Sequence, residues 1–321
     1  MKTKAIAEGA IFCALAVVFA LICYYVPFLV LFYFFIPVPI IVLAQKQGFK
    51  VALIASIAAT LILLFLVDPI MAAVYGMYMI FMGCALGYVY FKKKDGFVRL
   101  FVGCFGAFIV LALMFIIFWA MTGTNGVEAI IQSFDAISKE AMEIYKNSGM
   151  LSGDQMNQMQ GMFDTMINSM KLAIPVTVIV IPFFISWANI VVADVLLKRM
   201  RVNSVPLKRL SEWRLPASFK TFLIIIIIAV LIIDIFKIEA VPIIYTATLT
   251  NIISLIYLVM GLSFVFWFMN RKRKKESMGL KVLVVIISLL LPMVTYVLTF
   301  AGVLDIYIDL RRMIEGKGGV A

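Results

Sequence analysis

The chain has 321 residues and a formal net charge of +11; 64% of it is hydrophobic and only 14% charged. With a mean hydropathy of +1.11 it cannot be an ordinary soluble domain, in which about half the residues are apolar and about a quarter charged. It contains no histidine, which excludes a Ser-His-Asp triad, an HExxH zinc site and a histidine proton relay; no phosphate-binding glycine loop occurs either, so neither an enzyme nor a cofactor is expected.

A bilayer core about 30 Å thick needs roughly 20 apolar residues per helix. Such runs recur at residues 5–25, 28–44, 51–67, 69–90, 97–120, 172–197, 219–236, 240–269 and 281–303. The expected fold is all-α: a polytopic transmembrane helix bundle of about nine spans.

The first run follows Lys2 and Lys4 but has no polar region with a small-residue cleavage site, so it reads as a retained span rather than a signal peptide. Ala7, Ala10 and Ala14 share one of its faces and predict close helix packing, internal rather than to a partner. Cys13, Cys23, Cys84 and Cys104 all fall inside spans without paired spacing and are expected as buried free thiols. Tyr24, Tyr25 and Pro27 close the first span.

The next stretch, "YFFIPVPIIVLAQKQG" (Tyr33–Gly48), places Pro37 and Pro39 two residues apart in apolar sequence. Each proline removes a backbone donor and clashes with the preceding turn. One reading makes 28–36 a loop or broken half-helix, with a short helix from Pro37 to Gln45 bordering a water-accessible hollow, as at transporter binding sites. The other is a kinked ordinary span whose freed carbonyls are satisfied by neighbours.

Asp68 and Pro69 mark the turn before the fourth span, whose first half carries Tyr75 and Tyr78. Gly76, Gly83 and Gly87 form a small-residue stripe that includes a Gly-x-x-x-Gly pair, again predicting internal packing. Between the fifth and sixth spans lies the one long polar stretch, 121–171, with six acids against three lysines. Val127, Ile130, Ile131, Phe134, Ile137, Ala141, Ile144 and Tyr145 recur there at helical spacing. A second helix is expected from the capping box Ser152–Gln155, with a face of Met156, Met159, Phe163, Met166, Ile167 and Met170. Together they predict an amphipathic hairpin on the outer membrane surface or over a cavity mouth. Clustered thioethers can hold Cu(I), but methionine is also an adaptable filler and no cysteine or histidine is near; no metal site is expected.

The sixth span carries Ser186-Trp187-Ala188-Asn189 near its middle, and Asp194 is expected to pair with Lys198 four residues on. If the N-terminus is cytoplasmic, 21 of the 28 basic residues fall in cytoplasmic segments, including the runs Lys198–Lys220 and Arg271–Lys281. Basic loops facing anionic lipid then account for the net charge without nucleic acid. Nine full spans would put the C-terminus outside, whereas one re-entrant span would return it to the cytoplasm. The expected organisation is a six-span domain (1–197, including 121–171), a basic cytoplasmic linker (198–220) and a C-terminal three-helix segment with its tail (221–321).

Four stretches in combination, "PVPIIVLAQKQG", "VLLKRM" closing the sixth span, "LSEWRLP" (Leu210–Pro216) and "GVLDIYIDLRR" (Gly302–Arg312), resemble the YybS-like family of uncharacterised bacterial multi-pass membrane proteins. Residues 1–197 further resemble the substrate-capture (S) components of energy-coupling-factor vitamin transporters. Those have six helices with both ends cytoplasmic, an irregular first outside loop, and small residues spaced four apart on the first helix where the coupling subunit docks; Ala10 and Ala14 match that pattern. The three further spans and the long fifth-to-sixth loop depart from it.

The resemblance implies a location in the bacterial cytoplasmic membrane and capture of a small vitamin or metabolite in an outward cavity. That cavity would be formed by the first loop, the outer parts of spans four to six and the methionine-rich hairpin as lid, with release driven by a separate ATPase module. Tyr24, Tyr25, Pro37, Pro39, Asp68, Tyr75, Tyr78, Trp187 and Asn189 are the implied substrate-binding residues. The alternatives are a non-transporting scaffold whose basic cytoplasmic face binds lipid or a partner protein, and a secondary carrier. A carrier predicts paired broken helices in two repeated halves, and the sequence shows one break and no convincing repeat.

Overall fold

The computed structural model describes residues 3–148, 153–202, 205–236, 241–272 and 278–317, and among these every regular element is helical. Contacts divide the chain into an N-terminal unit, Met1–Leu207, and a C-terminal unit, Lys208–Ala321. The N-terminal unit runs α1 (Thr3–Tyr25), a 3₁₀ segment (Pro27–Phe35), α2 (Val38–Gln47), α3 (Phe49–Leu63), α4 (Pro69–Met77), a π-helical stretch (Tyr78–Cys84), α5 (Ala85–Phe91), α6 (Gly96–Thr122), α7 (Gly126–Ser148) and α8 (Gly153–Arg199). The C-terminal unit has a 3₁₀ turn (Leu210–Glu212), α9 (Ala217–Ile235), α10 (Ile243–Lys272), α11 (Met278–Leu290), α12 (Pro292–Ile308) and α13 (Leu310–Lys317).

Six of these helices are long and apolar enough to cross a membrane: α1, the continuous run α4–α5, α6, α8, α9 and α10. The protein is a multi-pass membrane protein. Three of the expected spans take a different form. At 1.5 Å per residue, α2 and α3, with 10 and 15 residues, are only about 15 and 22 Å long, less than the hydrocarbon core. The run expected at 281–303 is broken at Leu291, and the segments either side meet at 109°. Leu291 is extended there, and Pro292 opens α12 at a position whose amide would have no helical acceptor.

The two prolines after Phe35 resolve in the same way. Pro37 is the N-cap and Pro39 lies in the first turn of α2, where amides are orphaned in any helix, so neither costs an α-helical hydrogen bond. Pro37 still accepts from Ile41 N at 2.9 Å. The residues Ile40 to Gln45 that follow are all buried, so the middle of α2 is enclosed by protein. Gly48, at φ +85°, ends α2 and turns the chain into α3.

Small residues bring the neighbouring helices onto α2 and α3. An added Cβ on Gly83 would lie 3.1 Å from Ile40, one on Gly87 would overlap Ala44, and one on Gly76 would overlap Thr60. The alanine stripe is a correction. α1 turns Ala5, Gly9, Cys13, Ala16, Ala20 and Cys23 inward, while Ala7, Ala10 and Ala14 lie on the opposite face and are exposed. All four cysteines are free, and Cys104 alone is only half-buried.

The methionine helix is not a separate arm. It is continuous with the sixth span in the 47-residue α8, which contains Pro175 and Pro182 and pairs with α7 along its first half. Ser152 of the expected capping box lies outside the described residues. Near the other end of α8, Asp194 does not pair with Lys198. It accepts from Tyr90 Oη at 2.8 Å and from Leu207 N at 2.9 Å and contacts the buried Arg99 at 3.4 Å; Arg99 also donates to the Val205 carbonyl. The first part of the expected linker is thereby tied to the bundle.

Candidate functional site

At the end of the N-terminal unit that carries α7, the 3₁₀ segment brings Tyr33 against Tyr75 and Tyr78, which lie one turn apart along the α4–π run. The Tyr33 ring meets Tyr78 edge-on with centroids 4.8 Å apart and lies 5.7 Å from Tyr75. Asn189 of α8 reaches the same segment: its Nδ2 donates to the Phe34 and Ile185 carbonyls, each at 2.8 Å. Its Oδ1 is buried without a hydrogen-bond partner. Leaving such a group unsatisfied costs about 1–3 kcal/mol, and in native folds it is an exception with a cause, such as a bound water or ion, strain or a catalytic role. The adjoining π-helical stretch is a feature found often at functional sites.

Beside this cluster runs a groove of about 700 Å³ between the start of α4, the second half of α6 and the first turns of α7. Met71, Val74, Leu111, Phe115, Phe118 and Ile130 form much of its wall. Its two side-chain hydroxyls, Thr122 and Ser133, already donate to the Phe118 and Ala129 carbonyls of their own helices. Val74 joins the two features, because it lines the groove and packs in one apolar cluster with Tyr78 and Tyr33. Gly126 sits so close to Phe115 that an added Cβ would lie 2.6 Å from the ring, separating the groove from a smaller hollow of about 440 Å³ against Trp119 and Val178.

Of the residues expected from the sequence, Tyr75, Tyr78 and Asn189 gather around the 3₁₀ segment, and the buried Pro37 closes its far end. Tyr24 and Tyr25 stack edge-on at 4.9 Å, and Tyr25 Oη donates to Leu66 O at 2.8 Å. Asp68 caps α4 by accepting from Met71 N at 2.9 Å. Pro39 and Trp187 are half-buried on α2 and α8. None of these nine lines the groove. Sequence reasoning missed its walls because leucine, methionine and phenylalanine carry no mark that separates a ligand wall from a lipid-facing surface.

A second polar assembly lies in the C-terminal unit, where "LSEWRLP" and "GVLDIYIDLRR" converge. The buried Arg311 pairs through Nε with Asp305 at 3.0 Å and donates through Nη1 to Ser211 O at 2.9 Å and through Nη2 to Ser263 Oγ at 2.8 Å. Ser263 in turn donates to Leu210 O at 2.6 Å, and Trp213 Nε1 donates to Lys208 O at 2.9 Å. Beneath them α10 and α12 touch backbone to backbone: an added Cβ on Gly302 would overlap the Tyr257 carbonyl, and one on Gly261 the Leu298 carbonyl. The guanidinium's oxygen partners come from the 3₁₀ turn, α10 and α12 of the same unit, so the assembly ties these elements together.

The family model described as "Predicted membrane protein (DUF2232)" matches residues 14–306. A relative from Bacillus subtilis (strain 168), "Uncharacterized protein YybS", is 21% identical over 319 residues, covering 98% of this chain and 99% of its own. No solved structure matches.

Proposed function

Because the chain belongs to the family of predicted membrane proteins designated DUF2232, we propose that this multi-pass membrane protein captures a small solute, a vitamin or metabolite, from outside the cell and delivers it inward with a separate ATPase module. The observation that carries the reading is the meeting, at Val74, of a 700 Å³ groove with a tyrosine cluster holding an unpartnered Asn189 Oδ1; ligand pockets span about 300–1,000 Å³ and pair apolar walls with a few polar groups. With the N-terminus cytoplasmic, as the basic residues favour, this end faces outward. The exposed Ala7, Ala10 and Ala14 offer a coupling subunit the close-approach face that the resemblance to S components implies. No covalent chemistry is assigned to the chain.

The test is purification in mild detergent, identification of retained metabolites and proteins, and thermal melts across a vitamin and metabolite panel. A solute present at 100 times its Kd should stabilise the protein by about 2.7 kcal/mol. Absence of any retained solute and of any shift across the panel overturns the reading. A second reading, a scaffold binding lipid or a partner through its basic segments, draws support from the dense burial of Ile36 and Ile40–Ala44. It predicts a co-purifying protein or anionic lipid and no solute.

A further inference from the structure

We infer that the groove between α4, α6 and α7 receives the single hydrocarbon tail of a neutral or cationic amphiphile. This rests on the solute-capture reading and names its substrate class. Met71, Val74, Leu111, Phe115, Phe118 and Ile130 offer carbon surface, and the Thr122 and Ser133 hydroxyl protons are both committed to helix carbonyls. A polar metabolite placed there would surrender most of its water contacts and find no free side-chain donor in exchange. A hydrocarbon tail loses nothing by leaving the bilayer for this wall, because lipid is as apolar as a protein interior, so the head group decides which amphiphile is retained.

The closure of Gly126 on Phe115 separates the groove from the smaller hollow, so one chain fits rather than a pair straddling the ring. The head group is selected by α7. That helix carries Glu128, Asp135, Glu140 and Glu143 against Lys139 and Lys146, and Lys139 is engaged by Asp135 at 2.7 Å. Glu128 adjoins Ala129 of the groove wall, and the surplus of acids along α7 disfavours an anionic head at the mouth relative to a neutral or cationic one.

The test uses the full chain in phospholipid nanodiscs with three photoreactive C18 probes: an alcohol, an amine and a phosphate, each with a diazirine in the tail. Saturable labelling of the peptides containing Met114–Phe118 and Ile130–Phe134 is expected from the alcohol and the amine, at least tenfold above the phosphate. Ala129→Trp, and Leu111→Trp from the facing wall, should each lower that labelling at least tenfold. Gln132→Trp, exposed on α7 and outside the groove, should leave it within twofold.

Equal labelling by the phosphate, displacement by ordinary bilayer phospholipid, or labelling indifferent to both groove-filling variants overturns the inference. A water-soluble metabolite that binds without displacing the probes overturns it too, while leaving solute capture standing. Saturable, head-selective labelling with no uptake into proteoliposomes that also hold the ATPase module recovered with the chain supports the tail assignment and removes the capture reading.

Discussion

Arg311 and Ser211, one hundred positions apart, are joined by a hydrogen bond of 2.9 Å from a guanidinium that is 1% exposed. The charge is tolerable because Asp305 lies 3.0 Å away and the Ser211 carbonyl and Ser263 hydroxyl each take one further donor. Arg311→Met leaves Asp305 buried and uncompensated, a change that typically costs about 3–5 kcal/mol. Adding Asp305→Asn should restore part of the loss. Arg311→Lys should behave like the methionine variant, since an ammonium lacks the planar fork that meets three partners at once. Melts of full-length protein in detergent read all three, and an Arg311→Met variant that melts like wild type would contradict the tie.

Gly302 packs where a Cβ would collide with the Tyr257 carbonyl, while Gly161, on the methionine-rich half of α8, has nothing within 4 Å of that position. Gly302→Ala should therefore destabilise by about 1–3 kcal/mol through overpacking. Gly161→Ala should gain up to about 1 kcal/mol of helix propensity. The same melts separate the two, with shifts of opposite sign.

Asn189→Leu removes two donated hydrogen bonds, each worth about 1 kcal/mol net, together with an oxygen that was never satisfied. Stability should change by no more than about 2 kcal/mol. Solute affinity, measured by thermal shift with the ligand identified from the purification, should fall at least tenfold. Unchanged affinity would make Asn189 a purely structural residue.

On α7, the hydrogen bond to Asp135 holds the Lys139 amine above its ordinary value. A folded-state value above the unfolded one means that the pair's contribution is present at neutral pH and is lost as pH rises through that raised value. Wild type and Lys139→Gln should differ only slightly at neutral pH, because the pair is fully exposed. Their melting curves should converge in the alkaline range, and a gap that widens there would reverse the sign.

Most of the helix order was legible because caps and breaks are local: Asp68 and Asp95 open α4 and α6, and Gly48 and Gly123 close α2 and α6. The burial of α2 was not legible, since lipid tails are as apolar as a protein interior and "PIIVLA" reads the same in either. Which face of α1 packs inward was hidden for a related reason: alanines lie on both faces, and Gly9, Ala16 and Ala20 are the ones used. Local spacing assigned Asp194 to Lys198, whereas its partner Arg99 lies 95 positions back in the chain. The Trp-Arg-Leu-Pro and Asp-Leu-Arg-Arg stretches stood out as a pattern, but their meeting around Arg311 depends on the fold of the C-terminal unit.

The unbroken course of α8 past two prolines has a mechanical meaning. Pro175 and Pro182 donate nothing to the carbonyls of Lys171 and Val178, so the continuous helix loses bending stiffness at two joints. Between the methionine-bearing arm and the anchored terminus at Asp194 it therefore acts as an articulated strut. Bending of the arm should concentrate at those two joints rather than at Asp194, which Arg99 and Tyr90 hold.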